Sequence, residues 1–144
     1  MAQTRLGPSG LPLPRFVSLK SDRVNMRAGP GTDYPIAWTY QQIGWPLEIV
    51  EEFDFWRKVR DRDGEEGWVH KDLLRGKRMA VTTGEALLLR RPQADAVPVA
   101  RLLPEVLAEI VRCKEGWCRL SVGSYQGWVP EGVLYGVYPG EEVE

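Results

Sequence analysis

Residues 48–59 decide the fold, and they read Glu-Ile-Val-Glu-Glu-Phe-Asp-Phe-Trp-Arg-Lys-Val. The pattern returns at residues 109–120 as Glu-Ile-Val-Arg-Cys-Lys-Glu-Gly-Trp-Cys-Arg-Leu. Gly67-Trp68-Val69 follows the first stretch, and Gly127-Trp128-Val129 follows the second. Self-similarity at this spacing indicates that the chain repeats one structural unit of about 60 residues.

The apolar residues of each copy have the spacing of strands. Apolar and polar side chains alternate over residues 24–27 and 36–40, which is the two-residue period of a half-buried strand. The only segment with helical potential is 99–111, but Pro104 interrupts it and the repeat assigns a strand there. Asp63-Gly64 and Glu115-Gly116 are typical of tight hairpin turns.

Each copy therefore contains five or six short strands and closes with one helical turn near Asp72-Leu73-Leu74. A sheet this small buries a core only by curling on itself, so the sequence predicts an all-β fold of two tandem small barrels. The predicted boundaries are an extended Pro-rich segment at 1–15, barrels at 16–77 and 78–138, and a solvated acidic tail at 139–144. We expect the barrels to pack closely, because the repeat leaves almost no linker.

Composition excludes several classes of function. Nineteen Lys and Arg against twenty Asp and Glu give a net charge of -1, which does not build the single-sign field of a nucleic-acid binder. One His and two Cys are too few for a typical metal site, which argues against one. The sequence also shows no Ser/His/Asp or Cys/His arrangement, which argues against an enzyme. We expect no cofactor. We also expect no membrane span, because no apolar run is long enough to cross a bilayer.

The first copy resembles the bacterial Src-homology-3-like (SH3-like) domain family. Residues 24–35, Val-Asn-Met-Arg-Ala-Gly-Pro-Gly-Thr-Asp-Tyr-Pro, look like the opening stretch of that family. Trp56-Arg57-Lys58-Val59 and Gly67-Trp68-Val69-His70 look like its closing pair. The resemblance implies two tandem SH3-like barrels and a non-catalytic binding role in the bacterial envelope, with peptidoglycan or its peptides as the ligand.

The second copy departs from the family pattern in the region that would form a groove. The sequence aligns Asn25 with Leu88 and Tyr34 with Ala96, whereas Arg27 aligns with Arg90. We therefore predict that the first barrel carries the ligand site. Its predicted lining residues are Asn25, Arg27, Tyr34, Trp38 and Trp68.

Two alternatives to direct ligand contact stay open for these residues. The tryptophans that recur in both copies also suit packing, because large aromatic side chains dominate small cores. Arg27 could bind a carboxylate of the ligand or pair with Asp33. His70 is interpreted as a solvent-exposed or turn-capping residue.

The two cysteines flank a predicted hairpin. Cys113 and Cys118 lie on either side of the turn at Glu115-Gly116, so they can face each other and form a disulfide. In an oxidising envelope we expect the bond, whereas in a reducing cytosol the pair would stay as thiols.

The N-terminal segment also allows two interpretations. Residues 7–15 contain three prolines and suit an extended tether. Residues 11–15, Leu-Pro-Leu-Pro-Arg, also resemble a proline-rich ligand of SH3 domains, which would allow docking on the protein itself.

Two functions remain after these exclusions. The first is an envelope module that binds peptidoglycan or its peptides, and the second is an adaptor that uses the same barrels on a partner protein. We expect a periplasmic or extracellular location with a signal peptide removed, while a cytoplasmic location stays open.

Overall fold

The computed structural model describes residues 5–144. The chain divides between Lys77 and Arg78 into two compact units, at the position where the repeat begins its second copy. Both units are antiparallel β-structures. The helical elements of the described residues are the 3₁₀ turns Lys71–Leu73 and Glu131–Val133. No helix in residues 5–144 is long and apolar enough to cross a membrane.

Residues 5–77 of the first unit contain nine strands. They are β1 Arg5–Leu6, β2 Pro12–Leu13, β3 Arg15–Leu19, β4 Val24–Arg27, β5 Ile36–Tyr40, β6 Pro46–Phe53, β7 Trp56–Arg60, β8 Glu66–His70 and β9 Leu74–Arg75. The second unit contains seven strands. They are β10 Met79–Thr82, β11 Ala86–Leu89, β12 Pro98–Leu102, β13 Leu107–Lys114, β14 Trp117–Val122, β15 Tyr125–Pro130 and β16 Leu134–Tyr135.

The two main sheets have the same topology. The strand order is β5-β4-β8-β7-β6-β3-β9 in the first unit and β12-β11-β15-β14-β13-β10-β16 in the second. Each strand of the main sheet of the first unit therefore has a counterpart in the second unit that is seven strands later in chain order. The predicted all-β fold with two tandem barrels is confirmed, and each sheet curls around its own apolar core.

The tight turns follow from residues that accept a positive φ. The β6–β7 hairpin turns at Asp54 with φ 52°, and the β13–β14 hairpin turns at Glu115 and Gly116 with φ of 52° and 84°. In the β13–β14 hairpin both central residues have a positive φ, which is the mark of a type I′ turn, whose twist matches that of the strands it joins. The predicted hairpin at Glu115-Gly116 is therefore present.

The repeated Gly-Trp-Val segments allow two strands to approach closely. A Cβ on Gly67 would lie 2.5 Å from Met26 Cγ, and a Cβ on Gly127 would lie 2.7 Å from the carbonyl oxygen of Leu89. Only glycine leaves room for these contacts. The valines that follow, Val69 and Val129, are fully buried in the two cores.

The prediction of an extended N-terminal segment is wrong for the described residues 5–15. β1 and β2 pair as a small hairpin, and Leu13 is 1% exposed and belongs to the core of the first unit. Ser9 donates hydrogen bonds to Glu52 of β6 from its amide at 3.0 Å and from its hydroxyl at 2.7 Å. Burial of Leu13 and pairing with a buried carboxylate hold the segment on the barrel, so it is not a free tether. Residues 1–4 of the predicted segment lie outside the described residues.

The prediction of a solvated acidic tail is wrong for Glu141 and Val143, whereas Glu142 and Glu144 are exposed. Glu141 binds the Arg78 guanidinium at 2.7 and 2.8 Å and accepts a hydrogen bond from the Tyr138 amide at 3.0 Å. Val143 and Cys113 exchange two backbone hydrogen bonds at 2.8 and 3.0 Å. Burial alone would raise the pKa of the Glu141 carboxyl, but the contacts with Arg78 and Tyr138 outweigh it and lower that pKa. The tail is therefore part of the second unit.

A disulfide joins Cys113 and Cys118, which face each other directly across β13 and β14. The residues at the corresponding positions of the first unit are Glu52 and Arg57, which face each other across β6 and β7 and form an ion pair at 3.3 Å. The same cross-strand position is thus linked covalently in one unit and electrostatically in the other.

Candidate functional site

Three large side chains on the β4–β5 hairpin of the first unit are exposed. Tyr34, Ile36 and Trp38 have exposed fractions of 47%, 50% and 58%, and we refer to them as the hairpin surface. Tyr34 lies in the loop that joins the two strands, and the other two lie on β5. β5 is the edge strand of its sheet, so within residues 5–144 it pairs with β4 on one side and with no strand on the other.

Arg27 holds the loop that carries Tyr34. Its guanidinium donates hydrogen bonds to the carbonyl oxygens of Thr32 at 3.2 Å and Tyr34 at 3.0 Å. The loop is closed further by a backbone hydrogen bond of 2.9 Å from Ala28 to Pro35. Backbone carbonyls, and not the Asp33 carboxylate, are therefore the partners of Arg27, which makes it a positioning residue.

The Tyr34 ring is fixed by the glycines of its own loop. A Cβ on Gly29 would lie 2.3 Å from ring carbons of Tyr34, and a Cβ on Gly31 would lie 3.5 Å from the ring. The ring therefore rests on bare backbone on one side, while nearly half of its surface faces solvent. A fixed and exposed aromatic ring offers contact area at a low cost in conformational entropy.

The five predicted site residues do not share one face of the sheet. Asn25 and Arg27 alternate with buried Met26, so their side chains lie on the outer face. Trp68 lies directly opposite Arg27 and shares that face. Ile36 lies directly opposite Arg27, on the outer face. Trp38 lies directly opposite Met26 and therefore projects from the other face, where its side chain is exposed.

The residues therefore form two groups around the loop at Tyr34. The outer-face group contains Asn25, Arg27 and Trp68, and each of these side chains is only partly exposed. Asn25 already accepts a hydrogen bond of 3.0 Å from the Thr39 hydroxyl. The three side chains of the hairpin surface are more exposed than those of the outer-face group. Ile36, which belongs to this surface, was missed at the sequence level because it is typical of a strand interior.

The structure changes one part of the alignment between the copies. Arg27 faces Trp68 in the first unit, whereas Leu89 faces Trp128 in the second, so Arg27 corresponds to Leu89 and not to Arg90. Asn25 corresponds by the same register to Leu87 and not to Leu88. The uniform run Leu87-Leu88-Leu89 hides this register in the sequence.

The second unit lacks the hairpin surface. Ala96 replaces Tyr34. The Ala96 amide donates a hydrogen bond to the carbonyl of Gln93, as the Tyr34 amide does to the carbonyl of Gly31. Ala100 replaces Trp38, because Ala100 faces Leu88 across the strands in the same way as Trp38 faces Met26. The second unit nevertheless folds with the same topology, so these aromatic side chains are not needed to build the barrel.

His70 caps a helical turn, and the described residues contain no cluster that could hold a metal. No group of three or more His, Cys, Asp and Glu side chains in residues 5–144 could hold a metal ion. His70 accepts a hydrogen bond of 3.1 Å from the Asp72 amide and caps the 3₁₀ turn, as predicted. It also packs on Phe55 and Trp56, with ring centroids 6.3 and 5.4 Å away.

These features define a class of protein: a tandem pair of small β-barrels of which one presents an exposed aromatic surface on a hairpin. The chain belongs to the bacterial SH3 domain family, which matches it twice, at residues 20–76 and 83–136. The resemblance seen in the sequence is confirmed for both copies.

Known proteins with similarity to the chain include a cell-wall enzyme. The putative N-acetylmuramoyl-L-alanine amidase YrvJ of Bacillus subtilis (strain 168) is 26% identical over 123 residues, which cover 77% of this chain and 24% of the amidase. The structure of NlpC1 from Trichomonas vaginalis is 17% identical with a TM-score of 0.39, and covers 84% of this chain and 45% of that one. The structure of NlpC2 from the same organism is 16% identical with a TM-score of 0.40, and covers 85% and 48%. The chain thus spans about a quarter of the amidase and less than half of each solved chain.

Proposed function

We propose that the protein is a non-catalytic binding module of the bacterial envelope that recognises peptidoglycan or its peptides through the first barrel. The observation that carries the proposal is the hairpin surface, which the first unit has and the second lacks. Membership in the bacterial SH3 family and similarity to a cell-wall amidase support the choice of ligand.

The proposed contacts divide by chemistry. Tyr34 and Trp38 supply broad apolar area, since each is about half exposed. Asn25 and Trp68 flank this area from the outer face of the sheet, where an amide and an indole offer hydrogen bonds to peptide groups. Arg27 contributes by holding the loop, because its donors already bind backbone carbonyls.

An extracytoplasmic location is part of the proposal. Disulfides persist in oxidising compartments and are rare in the cytosol. The Cys113–Cys118 bond therefore supports a periplasmic or extracellular site of action. Free thiols in protein taken directly from its native compartment would contradict this part.

Retention on purified sacculi tests the ligand. We expect the full chain to be retained and Tyr34→Ala to bind about tenfold more weakly, in the range of 1–3 kcal/mol for an aromatic interface anchor. Trp38→Ala should have an effect of the same order. The matched control is Tyr125→Ala, which removes a tyrosine that is 55% exposed on the second unit, and it should leave retention unchanged.

The same assay separates the two candidate functions. Retention that is unaffected by Tyr34→Ala and Trp38→Ala would show that the hairpin surface is not the site. If sacculi do not retain the protein while one specific protein is captured from a lysate, the adaptor function replaces the proposed one.

A further inference from the structure

A small cleft opens on the first unit, and none of its lining residues belongs to the hairpin surface. Its volume is about 190 Å³, and it lies between β3, β6 and the closing segment 71–76. Four cationic side chains line it: Arg15, Arg57, Lys71 and Arg75. Such a concentration of positive charge stands out in a protein whose net charge is -1.

The nearby carboxylates neutralise only part of this charge. Glu52 pairs with Arg15 at 2.9 Å and with Arg57 at 3.3 Å, so one carboxylate serves two guanidinium groups. Lys71 has an ion pair of 3.4 Å with Asp72, whose side chain is 71% exposed and therefore screened by solvent. Arg75 is exposed, and within residues 5–144 its guanidinium forms no hydrogen bond or ion pair. The cleft thus keeps an excess of positive charge.

The remaining lining is apolar. Leu11, Val17, Ile49 and Leu74 form the aliphatic part of the wall. A volume of 190 Å³ is below the range of about 300–1,000 Å³ that holds a drug-sized ligand, so the cleft suits a single residue-sized group. The fitting group has an aliphatic stem and one anionic head.

The second barrel does not repeat the cationic set. The structural counterparts of Arg57, Lys71 and Arg75 are Cys118, Glu131 and Tyr135, and only Arg15 has a cationic counterpart, Arg78. A barrel of the same topology therefore forms without three of the four cations. Their clustering in the first unit is not a requirement of the fold.

We propose that this cleft binds the C-terminal carboxylate of a peptide whose last residue is aliphatic. Lys71 and Arg75 supply the charge that Glu52 does not neutralise, and the guanidinium plane of Arg75 matches a carboxylate in two hydrogen bonds. The leucine and valine wall takes the aliphatic side chain. Inorganic phosphate also has an anionic head, but it has no apolar stem to cover the aliphatic wall of the cleft. The cleft therefore fits the peptide better than phosphate. The cleft and the hairpin surface are separate sites, so the proposal does not rest on the proposed function.

The test uses the full chain labelled with ¹⁵N and three probes. The first is the peptide acetyl-Gly-Gly-Leu with a free carboxylate, the second is the same peptide as its C-terminal amide, and the third is inorganic phosphate. Titrations follow the backbone amide signals of Lys71, Leu74 and Arg75. We expect the acid to shift these signals with an affinity at least about tenfold higher than that of the amide or of phosphate, because both other probes lack one half of the match.

Two exposed variants test the residues themselves. Lys71→Ala and Arg75→Ala should each weaken binding of the acid by about fivefold, the scale of one charged contact near the surface. The matched control is Arg23→Ala, which removes an exposed arginine from the same unit and should change nothing. Tyr34→Ala should also leave this binding unchanged, which distinguishes the cleft from the hairpin surface.

The proposal is overturned by any of three results of the titrations on the unsubstituted protein. These are equal binding of the acid and the amide, phosphate binding as tight as that of the acid, and shifts that do not involve residues 71–75. Equal affinities of Arg75→Ala and Arg23→Ala for the acid would also overturn it.

Discussion

The disulfide of the second unit allows a prediction whose size follows from the chain. Cys113 and Cys118 are five positions apart, so the bond closes a short loop. In the chain-entropy account, a loop of this length stabilises the folded state by about 2 kcal/mol, because it removes conformations of the unfolded chain. Reduction should therefore lower the free energy of unfolding of the second unit by about 2 kcal/mol.

Amide hydrogen exchange measures this effect in each unit of the intact protein. Reduction should speed the globally protected exchange in β14 and β15 by about thirtyfold, since 1.4 kcal/mol corresponds to a factor of ten. The equivalent strands β7 and β8 serve as the internal control, because the first unit contains no cysteine. Their exchange should not depend on the reductant.

A double variant separates the bond from other effects of the reductant. Cys113→Ala combined with Cys118→Ala should lose at least as much stability, because both side chains are buried and their truncation also leaves a small cavity. This variant should no longer respond to the reductant. If reduction changes exchange in β14 and β15 by less than about twofold, or changes both units equally, the loop-closure argument fails.

Three further predictions concern Gly127 and the carboxylates of Glu52 and Glu141. Gly127→Ala should destabilise the second unit by about 1–3 kcal/mol in urea unfolding, because its Cβ would meet the backbone of Leu89, whereas Gly84→Ala, with open space around it, should not destabilise. For Glu52, burial alone would raise the pKa of the carboxyl, but contacts with Ser9 and Arg15 outweigh it and lower the pKa. Its contribution to stability should be complete above the ordinary carboxyl pKa of about 4.3 and disappear as the pH falls through the lower folded value, so Glu52→Gln should flatten the acid side of the stability profile of the first unit. Glu141→Gln should do the same for the second unit, and unchanged acid profiles in both variants would refute the assignment.

The sequence was sufficient to predict the architecture, because local signals and the repeat agree. Alternating residues define the strands, and the glycines of the two Gly-Trp-Val segments occur where neighbouring strands touch. The facing of Cys113 and Cys118 also followed from the sequence, since the register of a two-residue hairpin is fixed by its turn.

The course of the two terminal segments depended on tertiary contacts. Prolines at 12 and 14 favour an extended chain, but burial of Leu13 and the bonds of Ser9 to Glu52 fold the segment onto β6. The acidic tail likewise docks because Arg78 offers a partner to Glu141. Both partners are distant in the chain, so local patterns do not reveal these contacts.

The placement of the candidate site residues was predicted only in part for the same reason. The sequence identifies the aromatic residues that the second copy lacks, and Tyr34 and Trp38 are indeed exposed. It does not show that Arg27 donates to the carbonyls of its own loop, nor that Trp38 lies on the opposite face from Asn25. Nor does it show the cationic cleft, whose members Arg15, Arg57, Lys71 and Arg75 come from three separate segments. Strand alternation and repeats are visible in the order of the residues alone. Hydrogen-bond partners and clefts, in contrast, arise only when the sheet curls and brings distant residues together.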